Sequence, residues 1–171
     1  MPYFGSLPLN SSPETARMTT YTCLKYHVVF GTQYRRSLIH ARMRPELYAY
    51  IGGIINGEDG HLDAIGGVDD HIHILCGIPA RIAVSDMLRA IKSSSSKWIN
   101  DNRLCTMEFR WQRGFAAFSV SKSNMPEVAR YLAGQEEHHR ETSFADEYRS
   151  LLIRHEIQFD ERFLFDDEHT G

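Results

Sequence analysis

Two histidines separated by one residue, His71-Ile72-His73, form the most informative triplet in the sequence. Residues i and i+2 of a strand share a face, so both imidazoles project from one side and can grip a single metal ion. Two ordinary surface histidines would give the same pattern. Tyr131 and Gln135 stand four residues apart in Tyr-Leu-Ala-Gly-Gln, a spacing that stacks them one turn apart on a helix. They flank an apolar stripe of Met125, Val128 and Leu132, at the border where a helix could meet the histidines; a half-buried Tyr and a solvated Gln are the plainer alternative. His138 and His139 follow Gln135 by three and four residues, as rival ligands or as a solvated pair near a helix end. Arg89, Lys92, Ser93, Ser96 and Lys97 offer cations and hydroxyls suited to phosphate oxygens. Arg35-Arg36 and the run Arg110-Trp111-Gln112-Arg113 add basic and aromatic groups of the kind that hold single-stranded nucleic acid.

These residues need elements to position them. Leu24, Tyr26, Val28 and Phe30 alternate with Lys25 and His27, which predicts a half-buried strand over about 21–33. Leu47, Ile51, Ile54 and Ile55 repeat at helical spacing and end at Asn56-Gly57, a helix stop. Residues 61–67 and 71–77 read as two short strands joined by the tight turn Val68-Asp69-Asp70. On the second of them Ile72, Ile74 and Cys76 face a helix-covered core, and the histidines face the open side of the sheet. Val84, Met87, Leu88, Ile91, Ser95 and Trp98 trace one face of a second helix, capped at or near Ser85. A fourth strand is expected over 115–120, a third helix opening at Asn124-Met-Pro-Glu, and a last helix over roughly 143–155. The order is βαββαβ, so the predicted fold is α+β and ferredoxin-like: a four-stranded antiparallel sheet, helices on one face, then a tyrosine-bearing helix and a C-terminal helix.

Composition narrows the class. With 42% hydrophobic and 24% charged residues in a chain of 171, the sequence is that of a soluble globular protein. No apolar run approaches a membrane span. Cys23, Cys76 and Cys105 are odd in number and widely spaced, which argues against disulfides or a zinc knuckle and for a reducing cytoplasm. Residues 1–18, rich in Pro and Ser, read as a disordered arm, with Met18 an alternative start, and 19–171 as one domain. A net charge of −3 is unusual for a nucleic-acid binder. The distribution softens the objection: residues 136–171 carry 11 acidic and 4 basic side chains, and residues 1–135 carry 11 acidic and 15 basic.

Together these segments resemble the HUH single-tyrosine transposases of small bacterial insertion sequences and their REP-associated relatives. The likeness runs from about Tyr21 to Phe165. It rests on K-Y-H-V-V-F-G-T at 25–32, D-D-H-I-H-I-L at 69–75, I-K-S-S-S-S-K-W-I at 91–99, W-Q-R-G-F-A-A-F-S-V-S at 111–121 and Y-L-A-G-Q-E-E-H-H at 131–139. The sequence departs from the family pattern at Phe115, where relatives commonly carry Tyr, and in its acidic tail.

The resemblance implies a transposase that cleaves and rejoins single-stranded DNA carrying hairpin ends, through a 5′-phosphotyrosine. It implies Tyr131 as nucleophile and His71, His73 and Gln135 as ligands to Mg²⁺ or Mn²⁺. It also implies a homodimer, with no nucleotide cofactor and no membrane partner. Arg35, Arg36, Arg89, Lys92, Ser93, Ser96, Lys97, Trp111 and Arg113 are then the expected DNA contacts. The competing readings are a non-catalytic single-stranded nucleic-acid binding module, a metal-dependent hydrolase of small phosphodiesters and an inactive domesticated relative. An open four-stranded sheet can stack bases, but His71 and His73 stand where such a module carries aromatics.

Overall fold

The computed structural model describes residues 21–165. The arm expected over 1–18 lies outside the described residues. Four strands, β1 Lys25–Gly31, β2 His61–Gly67, β3 His71–Gly77 and β4 Ala116–Ser119, form one antiparallel sheet in the order β2-β3-β1-β4. Helices α1 Arg44–Gly57 and α2 Val84–Asp101 complete the βαββαβ unit. After β4 come α3 Met125–Ala133, the single turn α4 Gln135–His138 and α5 Phe144–Arg154. Among the described residues no helix is long and apolar enough to cross a membrane.

Strand alternation sorts the side chains into two layers. Val28, Phe30, Ile72, Ile74 and Cys76 enter one core with Leu47, Ile51 and Ile55 of α1 and Met87, Leu88 and Ile91 of α2. Val29, Leu75, Ala116 and Phe118 point the other way, as do His27, His71 and His73 by the same alternation. That second face, expected to be open, is covered. Leu132 and Met125 of α3 pack on Leu75, and Phe144, Tyr148, Leu151 and Leu152 of α5 pack on Val29, Ala116 and Phe118. The added helices therefore form a third layer over the histidines.

Local details differ from expectation at the ends of elements. β1 and β4 are shorter than predicted because continuous ladder pairing covers 25–31 and 116–119, with an isolated Thr32–Trp111 bridge beyond it. The N-cap of α2 is Ala83, without a side-chain cap, rather than Ser85; Asp86 in its first turn complements the helix dipole. The third helix ends at Ala133, so Gln135 opens α4 instead of continuing α3.

Gly66 on β2 sets how closely α3 can approach. A Cβ there would lie 2.0 Å from the Leu132 carbonyl oxygen, so Gly66→Ala must push α3 off the sheet. The expected loss is about 1–3 kcal/mol, the usual cost of overpacking, read as a lower urea midpoint. Gly53→Ala on α1, with nothing within 4 Å, is expected to gain up to about 1 kcal/mol by helix propensity; equal midpoints for the two variants would contradict this packing.

Candidate active site

The β1–β3 register sets Val29 opposite His73 and Gly31 opposite His71. Both histidines are fully buried. The carboxylate of Glu147, from α5, lies among their rings. Its Oε2 is 3.2 Å from His71 Nε2, 3.2 Å from His73 Nε2 and 2.9 Å from His139 Nε2. Its Oε1 accepts hydrogen bonds from the Tyr131 hydroxyl and from Gln135 Nε2 at 3.0 Å. Gln135 Oε1 lies 3.3 Å from His71 Nε2. Tyr131, Gln135, His71 and His73 thus meet in one place, on a residue that the sequence reading did not single out.

The outer ring nitrogens are also held. Asp70 Oδ1 lies 2.7 Å from His71 Nδ1, the Thr142 carbonyl 2.6 Å from His139 Nδ1, and His27 Nε2 2.9 Å from His73 Nδ1. Phe144 stacks on His71 with centroids 4.1 Å apart and planes within 9°. Partners of this type fix the tautomer and aim the inner nitrogen. Of the rival pair, His139 joins the cluster, while His138 Nε2 is buried 3.6 Å from Glu147 Oε1 without a hydrogen bond.

Electrostatics follow from burial. Burial pushes His73 down to about 4, and burial with the neighbouring His73 pushes His27 down to about 3, so both rings are neutral near pH 7. Burial also acts to lower His71, but hydrogen bonds to Asp70 and Glu147 outweigh it and the net direction is up. Burial would raise Glu147, yet the hydrogen bonds of His139, His71 and His73 hold it well below the ordinary carboxylate range. Burial and the Glu147 carboxylate raise the Tyr131 phenol. Imidazoles around a carboxylate, with ligand atoms of His71, His73, His139 and Glu147 all within 4.8 Å of one another, suit a divalent ion.

The basic residues lie elsewhere. Arg89, Lys92, Ser93, Ser96 and Lys97 of α2 line an open groove of about 690 Å³ with Trp111 and Arg113, on the face of the sheet opposite the histidines. Arg89 pairs with Asp86 and Lys97 with Asp101 at the surface. Lys92 holds the carbonyls of Arg113 and Gly114, and Ser93 and Ser96 donate to carbonyls one turn back. Trp111 packs edge-on against Phe30 and Phe109 and donates to Ser95 Oγ at 2.9 Å, so its ring belongs to the core more than to a stacking platform. Arg35 and Arg36 lie on the turn after β1, where Tyr34 and Arg35 adopt φ of 60° and 50°, and not among the groove's lining residues.

Glu147 and His27 belong to the site without having been predicted as members of it. Glu147 had a signal: a carboxylate at i+3 from Phe144 on the apolar stripe Phe144, Tyr148, Leu151, where a charge is out of place.

Comparison with known proteins bears on this arrangement. The family described as "Transposase IS200 like" matches residues 20–135, more than half of the chain. The transposase for insertion sequence element IS200 of Salmonella typhimurium is 27% identical over 123 residues, covering 68% of this chain and 79% of that protein. Its Salmonella typhi counterpart gives the same figures. A candidate transposase from Deinococcus radiodurans shares the fold with a TM-score of 0.54 at 19% identity, covering 71% of this chain and 97% of its own. A REP-associated tyrosine transposase bound to a REP hairpin gives a TM-score of 0.54 at 16% identity, over 71% and 74% of the two chains. Gln135 is the last residue of the family match, so His138, His139 and Glu147 lie beyond it.

A pH dependence follows from the two depressed histidines. The unfolded chain takes up protons at about 6.5, whereas folded His27 and His73 resist until about 3 and 4. Their contribution is full above about pH 6.5 and is lost as pH falls towards 4; His71, shifted up, acts in the opposite sense and only above that window. Thermal melts of metal-free protein should show Tm falling from pH 6.5 to 4, less steeply in His27→Gln. An equal slope in the two proteins would exclude His27 from the effect.

Proposed function

The chain belongs to the family of IS200-like transposases, and from that premise we propose that it cleaves and rejoins single-stranded DNA through Tyr131. The observation that carries the proposal is the convergence of the Tyr131 hydroxyl, Gln135, His71 and His73 on one buried carboxylate.

Tyr131 Oη attacks the phosphorus of the scissile diester and the 3′ oxygen leaves, giving a 5′-phosphotyrosine and a free 3′-hydroxyl. The phenol is a poor nucleophile at neutral pH, more so because burial and Glu147 disfavour the phenolate. Glu147 Oε1 accepts a hydrogen bond from the hydroxyl, which orients the oxygen lone pairs away from the carboxylate; the phenol gives up this proton on attack and the leaving 3′ oxygen takes one up. His71, His73 and Gln135 would hold Mg²⁺ or Mn²⁺, which would supply charge against the phosphoryl oxygens and the leaving oxygen. Attack of a second strand's 3′-hydroxyl on the phosphotyrosine reseals the DNA and restores Tyr131, so cutting and joining need no nucleotide cofactor.

The α2 groove and the turn at Arg35-Arg36 take the backbone of hairpin DNA ends, as cationic and hydroxyl groups suit phosphate. Tyr131 reaches the cluster within its own chain, so a homodimer of this protein would carry two complete sites, one for each end of an element.

Two experiments test the reading. Labelled single-stranded hairpins from the flanks of the gene, incubated with Mn²⁺, should give a covalent protein–DNA band on a denaturing gel that is absent in Tyr131→Phe and without metal. Hairpin binding with no adduct on any flank would assign a binding module instead. Alanine at Arg89 or at Arg113 should weaken hairpin binding without changing sequence preference and reduce the slope of log affinity against log salt by about 0.7–0.9 per residue; an unchanged slope would remove the groove from the DNA path.

A further inference from the structure

We propose that Glu147 and His139, supplied by the segment beyond the family match, are protein ligands to the divalent ion, completing the site begun by His71 and His73. The inference rests on the metal-assisted reading above and extends it to His139, which that reading does not use, and to a second role for Glu147.

The Asp70 carboxylate and the Thr142 carbonyl can only accept, so His71 and His139 donate from Nδ1. The Nε2 atoms of His71 and His139 face Glu147 Oε2 at 3.2 and 2.9 Å, and His73 Nε2 joins them at 3.2 Å with its Nδ1 turned to His27 Nε2. Protons on these ring nitrogens serve the carboxylate, and a divalent ion that displaces them meets three nitrogens and one oxygen already converged on one point. Atoms about 3 Å apart have the spacing of neighbouring corners around an ion about 2.1 Å from each.

Burial points the same way. Glu147 is 3% exposed, on a helix whose other buried residues are Phe144, Tyr148, Leu151 and Leu152. A lone carboxylate so placed is costly unless it is paired or coordinates a metal. The outer partners of all three rings are those that metal-ligating histidines characteristically have: a carboxylate, a carbonyl and a further polar ring.

Three imidazoles and one carboxylate, with the Gln135 amide oxygen, form a nitrogen-rich set, which favours a transition ion over Mg²⁺. Mn²⁺ is therefore expected to bind at least tenfold more tightly than Mg²⁺. Because Glu147 also holds the Tyr131 hydroxyl, the nucleophile and the ion would share one positioning group.

The test is Mn²⁺ titration of the full chain by calorimetry, with circular dichroism as the fold control. Glu147→Gln keeps the shape and is expected to raise Kd ten- to a hundredfold, and His139→Ala likewise. Gly53→Ala, on α1 with nothing within 4 Å of the added Cβ, should stay within threefold. Wild-type affinity in both Glu147→Gln and His139→Ala, with binding lost in His73→Ala, overturns this inference and leaves the metal-assisted reading standing. No Mn²⁺ binding by the wild-type protein overturns both. Should Glu147→Gln fail to fold, crystals of the wild-type protein grown with Mn²⁺ decide: a Glu147 oxygen bound to the ion supports the assignment, and a carboxylate turned away refutes it.

Discussion

A carboxylate taken out of water must find compensation, and the second face of this sheet is arranged around that constraint at Glu147. Its partners come from every neighbouring element: His71 and His73 from β3, Tyr131 from α3, Gln135 from α4 and His139 just after it. Docking of α5 and assembly of the site are consequently one event. The apolar contacts of Phe144, Tyr148, Leu151 and Leu152 bring the charge in, and the ring nitrogens and hydroxyl hold it there. Phe144 belongs to both halves, since it anchors α5 and lies flat on His71.

What could be read from the sequence was what depends on local periodicity. Alternation along β3 sends Ile72, Ile74 and Cys76 into the α1–α2 core and leaves the histidines on the other face. The spacing of Tyr131 and Gln135 survives the break at Gly134, since Gln135 still reaches His71. Glu147 was harder to see. Its helix was predicted, but one acid on an amphipathic stripe acquires meaning only when β3 is known to lie beneath it. His27 shows the same limit: it was placed correctly on the side of β1 away from Val28, yet its contact with His73 spans 46 residues and depends on the β1–β3 pairing. The open face failed as an expectation because short helices after β4 carry too little pattern to say where they dock.

Residue type was a weaker guide in the basic region. Trp111 and Arg113 were read as nucleic-acid contacts, and both line the α2 groove, but Trp111 is 8% exposed and its indole N–H is already used on Ser95. Lys92 bridges α2 to the 113–114 turn, so part of its charge is spent on holding the groove together. A strand that touched both this groove and Tyr131 would have to pass around the sheet, since the two lie on opposite faces.

Access to the site is the remaining constraint. His71 and His73 are fully buried and Gln135 is 1% exposed, whereas Tyr131 is half-buried and borders a 230 Å³ pocket that Asn124, Arg154 and His155 also line. On the opposite flank Arg44, itself buried, ties Asp69 in the β2–β3 turn to Glu136 at the start of α4. That clamp fixes the residues adjacent to Asp70 and Gln135, and so closes the cluster on the side where the histidine partners must not move. Tyr131 is thus the outermost member of the set. In the proposed reaction a diester arriving from the Arg154 side would meet Tyr131 first, and would engage the hydroxyl by taking it from Glu147.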